Sequence, residues 1–89
     1  MDELEEQILA ESADHAEKEG FALNSDGQIV AVLMKSLARN QREKGKRYCP
    51  CRVVTGNKKE DAKIVCPCAF HKDEVEKDGF CRCRLFFRK

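Results

Sequence analysis

Between Tyr48 and Phe87 the chain reads Tyr48-Cys49-Pro50-Cys51-Arg52, then Cys66-Pro67-Cys68, then Phe80-Cys81-Arg82-Cys83-Arg84-Leu85-Phe86-Phe87. These three Cys-x-Cys pairs contain all six cysteines of the 89-residue sequence. Proline inside the first two pairs removes a backbone donor and fixes φ, so each sits on a stiff, non-helical bend that turns neighbouring sulfurs in different directions. Fourteen residues separate the first pair from the second and twelve the second from the third. Such gaps admit only brief elements. Asn57 with Glu60 predicts a short helix through Ala62 to Val65, and His71 to Lys77 predicts another that stops at Asp78-Gly79.

Upstream of Tyr48 the pattern is helical. Leu4, Ile8, Leu9, Ala13 and Ala16 recur at helical spacing from Asp2 to Lys18, with acidic residues early and Gly20 as a C-terminal stop. Phe21 and Leu23 then lead into Asn24-Ser25-Asp26-Gly27-Gln28, where Ser25 followed by Gln28 has the form of a capping box and predicts the start of a second helix. Ile29, Val30, Val32, Leu33, Leu37 and Ala38 give that helix a broad apolar face, Lys35 to Lys44 a basic end, and Gly45 its stop. Leu85-Phe86-Phe87 and Phe80 are expected in the core, since a thin core needs its aromatics. The expected fold is mainly α, a single domain over residues 1–89 with a helical part at 1–45 and the cysteine-bearing part at 46–89.

A chain this short buries a small core, and small domains usually recruit disulfides, a metal or a partner. The acidic start Met1-Asp2-Glu3-Leu4-Glu5-Glu6 has neither a basic n-region nor an apolar h-region, and no apolar run is long enough to span a bilayer. The expected compartment is therefore cytoplasmic, without membrane association. Reducing conditions there disfavour three structural disulfides and favour metal or catalytic roles for cysteine.

Net charge is +1, but it is divided along the chain. Residues 1–34 carry nine Asp/Glu and one Lys, a net −8, whereas residues 35–89 carry sixteen Lys/Arg and seven Asp/Glu, a net +9. A positive field around the cysteines draws anionic partners. Nucleic acid is disfavoured among them, because one Tyr and no Trp offer poor base stacking.

The cysteine count suggests two jobs. A 4Fe-4S cluster takes four thiolates, and six minus four leaves the two that a dithiol/disulfide couple needs. Zinc is a rival: structural zinc takes four ligands, usually from wider Cys-x2-Cys knuckles, and leaves two thiols over. A non-enzymatic zinc module contacting nucleic acid or an acidic protein through its basic half is the alternative reading. A purely electron-carrying cluster protein usually has a Cys-x2-Cys-x2-Cys run, which is absent here.

Cys-Pro-Cys-Arg, then Cys-Pro-Cys, then Cys-x-Cys followed by Leu-Phe resembles the catalytic (beta) subunit of ferredoxin:thioredoxin reductase, including archaeal and bacterial ferredoxin-dependent disulfide reductases. The resemblance extends back through the second helix and Gly45. It implies an enzyme, a disulfide reductase with a 4Fe-4S cluster enclosed by short helices and loops. It implies Cys49, Cys66, Cys68 and Cys81 as cluster ligands, Cys51 as the exposed interchange thiol and Cys83 as its redox partner beside the cluster. The partners it implies are ferredoxin as electron donor and thioredoxin or a related small dithiol protein as acceptor, with an accessory subunit as a further possibility.

Two departures stand out. The first inter-pair gap is shorter and the second longer than in the chloroplast-type pattern, which loops absorb readily. The third pair encloses Arg82 where the family has a histidine; arginine stays protonated and cannot shuttle a proton at neutral pH. His71, after Cys68, is the nearest substitute, while His15 is expected to face solvent from the first helix. Arg52 and Arg82 flank the proposed redox thiols and are expected to favour their thiolates. Arg84, Arg88, Lys89 and Lys44-Gly45-Lys46-Arg47 are expected to dock an acidic ferredoxin.

Overall fold

The computed structural model describes residues 1–50 and 52–89. It contains α1 (Glu3–Glu19), β1 (Phe21–Leu23), α2 (Gly27–Lys44), α3 (Lys58–Ala62), α4 (His71–Asp78) and β2 (Phe86–Arg88). The protein is mainly helical. Helix α1 opens on a capping box in which Asp2 accepts from the Glu5 amide at 2.9 Å while the Glu5 carboxylate accepts from the Asp2 amide. The Glu5 amide and the Arg42 guanidinium hold the Asp2 carboxyl near 2, below the usual carboxylate range. Gly20, at φ 77°, ends the helix as its left-handed cap.

The inward stripe of α1 differs from the expected one. Ala13 is exposed, whereas Ser12 is buried and His15 half-buried, so the stripe runs Ile8, Ser12, His15 and Ala16. Helix α2 begins one residue later than the Ser25 reading requires. Its cap is Asp26, whose carboxylate accepts from the amides of Gln28 and Ile29 at 3.0 and 3.3 Å, while the Asn24 side chain takes the Asp26 amide at 2.8 Å. Asp26→Ala is expected to cost about 1 kcal/mol in chemical denaturation, and Ser25→Ala close to nothing. The buried face of α2 is Val30, Leu33, Met34, Leu37 and Ala38; Ile29 and Val32 face outward.

The small antiparallel sheet was not expected. Strand β1 pairs with β2 in the register Phe21↔Arg88, Ala22↔Phe87 and Leu23↔Phe86. Three residues per strand leave too little alternation to betray a strand in sequence. The sheet brings the C-terminus onto α1 and seats Leu85 and Phe86 in the core with Ile8, Met34 and Leu37. Phe80 and Phe87 are only half-buried and stack on each other at 5.5 Å. Helix α3 has the expected Asn57 cap but ends at Ala62, because Val65 bridges to Tyr48 instead. Helix α4 starts at His71 as expected and is closed by Gly79 at φ 88°.

Ion pairs join the acidic and basic halves. Arg42 meets Asp2 at 2.8 Å, Arg47 meets Glu11, and Lys72 meets Glu19 at 3.2 Å. Part of the charge division is therefore internal complementarity between α1 and the segments packed on it.

Candidate functional site

Backbone pairing assembles the cysteines. The Cys49 amide donates to Ile64 O at 2.7 Å and the Cys66 amide to Arg47 O at 2.8 Å, so the segments 47–49 and 64–66 run antiparallel and set Cys49 and Cys66 on adjoining strands of backbone. Asn40 on α2 anchors this unit by donating to Tyr48 O at 2.7 Å. The third pair lies on a tight turn: the Cys81 amide donates to Phe86 O at 3.0 Å, the Arg84 amide to Cys81 O at 2.8 Å, and Arg84 takes φ 64°. Asn24 clasps that turn, its amide donating to Leu85 O and its side chain to Arg84 O. The Cys66–Pro67 peptide bond is cis.

Cys49, Cys68, Cys81 and Cys83 are buried and Cys66 half-buried; Cys49, Cys81 and Cys83 belong to the core cluster, and Cys66 packs against it. Cys51 lies outside the described residues. Cys81 Sγ sits 3.6 Å from Cys83 Sγ and accepts from the Phe86 amide at 3.3 Å. The bond from Cys83, together with the Phe86, Leu85 and Arg84 amides, brings the Cys81 thiol down to about 6 against the opposing effect of burial. Cys83 moves the other way, because its bonds to Cys49 and Cys81 and its burial all favour the protonated form.

Burial pushes the Cys66 thiol up to about 12, and the charges of Cys49, Cys81 and Cys68 add to the shift. Burial likewise raises Cys68, with Arg52 opposing. Cys49, Cys66, Cys68 and Cys81 thus lie within electrostatic reach of one another in a largely apolar setting. Four such thiolates together are unfavourable unless a cationic group lies between them, and soft sulfur donors suit iron. Among the described residues, no group of three or more His, Cys, Asp or Glu is arranged to hold a single metal ion. Soft thiolate donors of this kind suit iron–sulfur clusters, zinc or copper(I).

The arginines differ from expectation. Arg82 exposes its side chain, and the largest influences on Cys83 are Cys49, Cys81 and burial, which raise it rather than lower it. Arg52 is turned inward, its guanidinium 2.6 Å from Glu74 and 4.7 Å above the Phe70 ring. Burial works against its charge, but Glu74 and Cys68 more than offset this and hold it protonated above its ordinary value. Glu74 also accepts from the Arg82 amide at 3.2 Å. Sequence reasoning passed over Glu74 as one acid among several in the first turn of α4.

His71 is buried rather than on the surface. Its Nδ1 bonds the carbonyl oxygen of Cys68 and its Nε2 lies 2.9 Å from Nε2 of His15. Nδ1 therefore donates to that carbonyl, and one of the two facing Nε2 atoms donates to the other. Burial, followed by the charge of His71, lowers the His15 pKa, in keeping with a neutral ring. Both nitrogens of His71 are engaged, and His15, expected to face solvent, packs against Phe21 and Phe86.

Beside the first and third pairs lies a cleft of about 300 Å³ lined by Arg52, Val53, Thr55, Ile64, Phe70 and Arg82 among others. Val53 and Phe70 are exposed at its edge. Asp61 shapes the loop below, accepting from the amides of Thr55 and Gly56 at 2.8 and 2.9 Å. No helix among the described residues is long and apolar enough to cross a membrane.

A protein-family model described as ferredoxin thioredoxin reductase catalytic beta chain matches residues 2–89. No curated protein matches the chain.

Proposed function

We propose, starting from the fact that this chain belongs to the family of ferredoxin thioredoxin reductase catalytic beta chains, that it is a 4Fe-4S disulfide reductase. It takes electrons from ferredoxin and reduces the disulfide of thioredoxin or a similar small dithiol protein. Residues 1–45 act as the helical support and residues 46–89 carry the chemistry. The observation that carries the reading is the family match over residues 2–89, supported by the gathering of Cys49, Cys81 and Cys83 in the core with Cys66 packed against them.

Cys49, Cys66, Cys68 and Cys81 would hold the cluster, which when bound supplies electrons one at a time to a reaction that needs two. Cys51 and Cys83 form the redox pair. The Cys51 thiolate attacks one sulfur of the partner's disulfide, forming a mixed disulfide and releasing the partner's other sulfur as a thiolate. Cys83 then attacks the Cys51 sulfur, closes the Cys51–Cys83 disulfide and releases the second partner thiol. Two electrons and two protons restore the pair. Burial of Cys83 keeps water from its sulfur between turnovers, and exposed Val53 and Phe70 supply an apolar edge for a protein substrate.

Ferredoxin docking rests on the basic residues that the fold leaves unengaged by α1. Arg47 pairs with Glu11, so Lys44, Lys46, Arg84 and Lys89 are the better docking residues. With reduced ferredoxin as donor and thioredoxin as acceptor, thiol appearance should slow by about tenfold between low salt and ~0.5 M salt, as screening shortens the reach of the field. A rate indifferent to salt contradicts electrostatic docking, and no ferredoxin-dependent thiol formation at any salt contradicts the proposed reaction.

A further inference from the structure

Glu74 makes a charged side-chain connection that joins the first and third Cys-x-Cys turns, beside the thiol contact of Cys83 with Cys49. Its Oε2 accepts from Arg52 Nη2 at 2.6 Å and its Oε1 from the Arg82 amide at 3.2 Å. Arg52 belongs to the first turn, its amide donating to Cys49 O at 3.1 Å, and Arg82 stands between Cys81 and Cys83. The Arg52 and Glu74 side chains are 15% and 23% exposed, so the pair is shielded well beyond an ordinary surface ion pair. Phe70 packs on the other face of the guanidinium. Helix α4, which carries Glu74, is itself fixed by buried His71 and Val75 and by the Gly79 cap.

We propose that Glu74 is a positioning residue for the reacting thiols, fixing the separation of the two turns that carry them. The inference rests on the reading of Cys51 and Cys83 as the redox pair. Closing that pair converts two thiols into one disulfide and gives up two protons and two electrons, and its equilibrium depends on how near the reduced thiols are kept. Loss of Glu74 unties Arg52 of the first turn from the Arg82 amide of the third and frees the reduced turns to separate. Separation favours the dithiol over the disulfide, so the midpoint potential rises.

The test measures the thiol/disulfide potential of cluster-loaded wild type, Glu74→Ala, Glu74→Gln and Glu74→Asp by equilibration with dithiothreitol couples and thiol trapping, with peptide mapping of the disulfide. Glu74→Ala should shift the dithiol/disulfide equilibrium about tenfold, or ~30 mV more positive. Glu74→Gln keeps an acceptor for the Arg82 amide but loses the charge, and should shift less; Glu74→Asp should move back toward wild type. If Glu74→Ala does not fold, the Gln and Asp variants decide. A correctly mapped Cys51–Cys83 disulfide with unchanged potential in the variants, or no recovery with Asp, overturns the role of Glu74. A wild-type disulfide joining other cysteines overturns the reading of the pair instead.

Discussion

Cys83→Ser should retain its iron and lose disulfide reduction altogether. Serine keeps the hydrogen-bonding contacts with Cys49 and Cys81 and changes the buried volume little, so the proposed ligand set is undisturbed. Its hydroxyl can neither close a disulfide nor resolve a mixed one, since the reacting species is a thiolate. The enzyme should stall after the first attack, with thioredoxin linked to Cys51 in a trapped complex visible on a non-reducing gel. Cys81→Ser is the contrasting variant: it removes a proposed ligand and should release iron. Iron loss from Cys83→Ser at wild-type fold would show that the six cysteines divide differently.

The largest structural effect is expected at Phe86. Its side chain is 1% exposed, its ring lies 5.2 Å from His15, 5.6 Å from His71 and 6.2 Å from Phe21, and its amide bonds Cys81 Sγ. Truncating a fully buried aromatic costs the transfer free energy of the ring and leaves a cavity, together about 3–5 kcal/mol. Small domains have only about 5–15 kcal/mol to lose, so Phe86→Ala should be largely unfolded on modest heating. The denaturation midpoint should fall with an unchanged slope, while Phe87→Ala, half-buried beside it, should lose far less. Equal losses at the two positions would contradict the placement of β2.

The Phe86 cluster also marks where sequence reading stopped. The helical framework was legible because α1, α2 and α4 are long enough to show periodicity and end on glycines at positive φ: Gly20, Gly45 and Gly79. The cap of α2 was misread by one residue because Ser25 and Asp26 are both good caps, and Asn24, by taking the Asp26 amide, selects the second. The solvent-facing expectation for His15 fails because a histidine's burial depends on partners far along the chain, here His71, 56 residues away. The three Cys-x-Cys pairs were legible as a site from spacing alone. The Arg52–Glu74–Arg82 connection was not, since it depends on α4 being laid across both turns by tertiary packing.

Arg82 now has a different meaning. In the sequence it stood where a histidine was expected and invited an electrostatic role. In the structure its side chain is exposed and its backbone amide, bound by Glu74, is the part that reaches the site.

Metal analysis of the protein purified without oxygen distinguishes a sulfur-ligated iron cluster beside a reactive thiol pair from a zinc module. The expected result is a brown protein with broad absorption at about 400 nm and about four irons per chain. A colourless protein carrying a single zinc would contradict it.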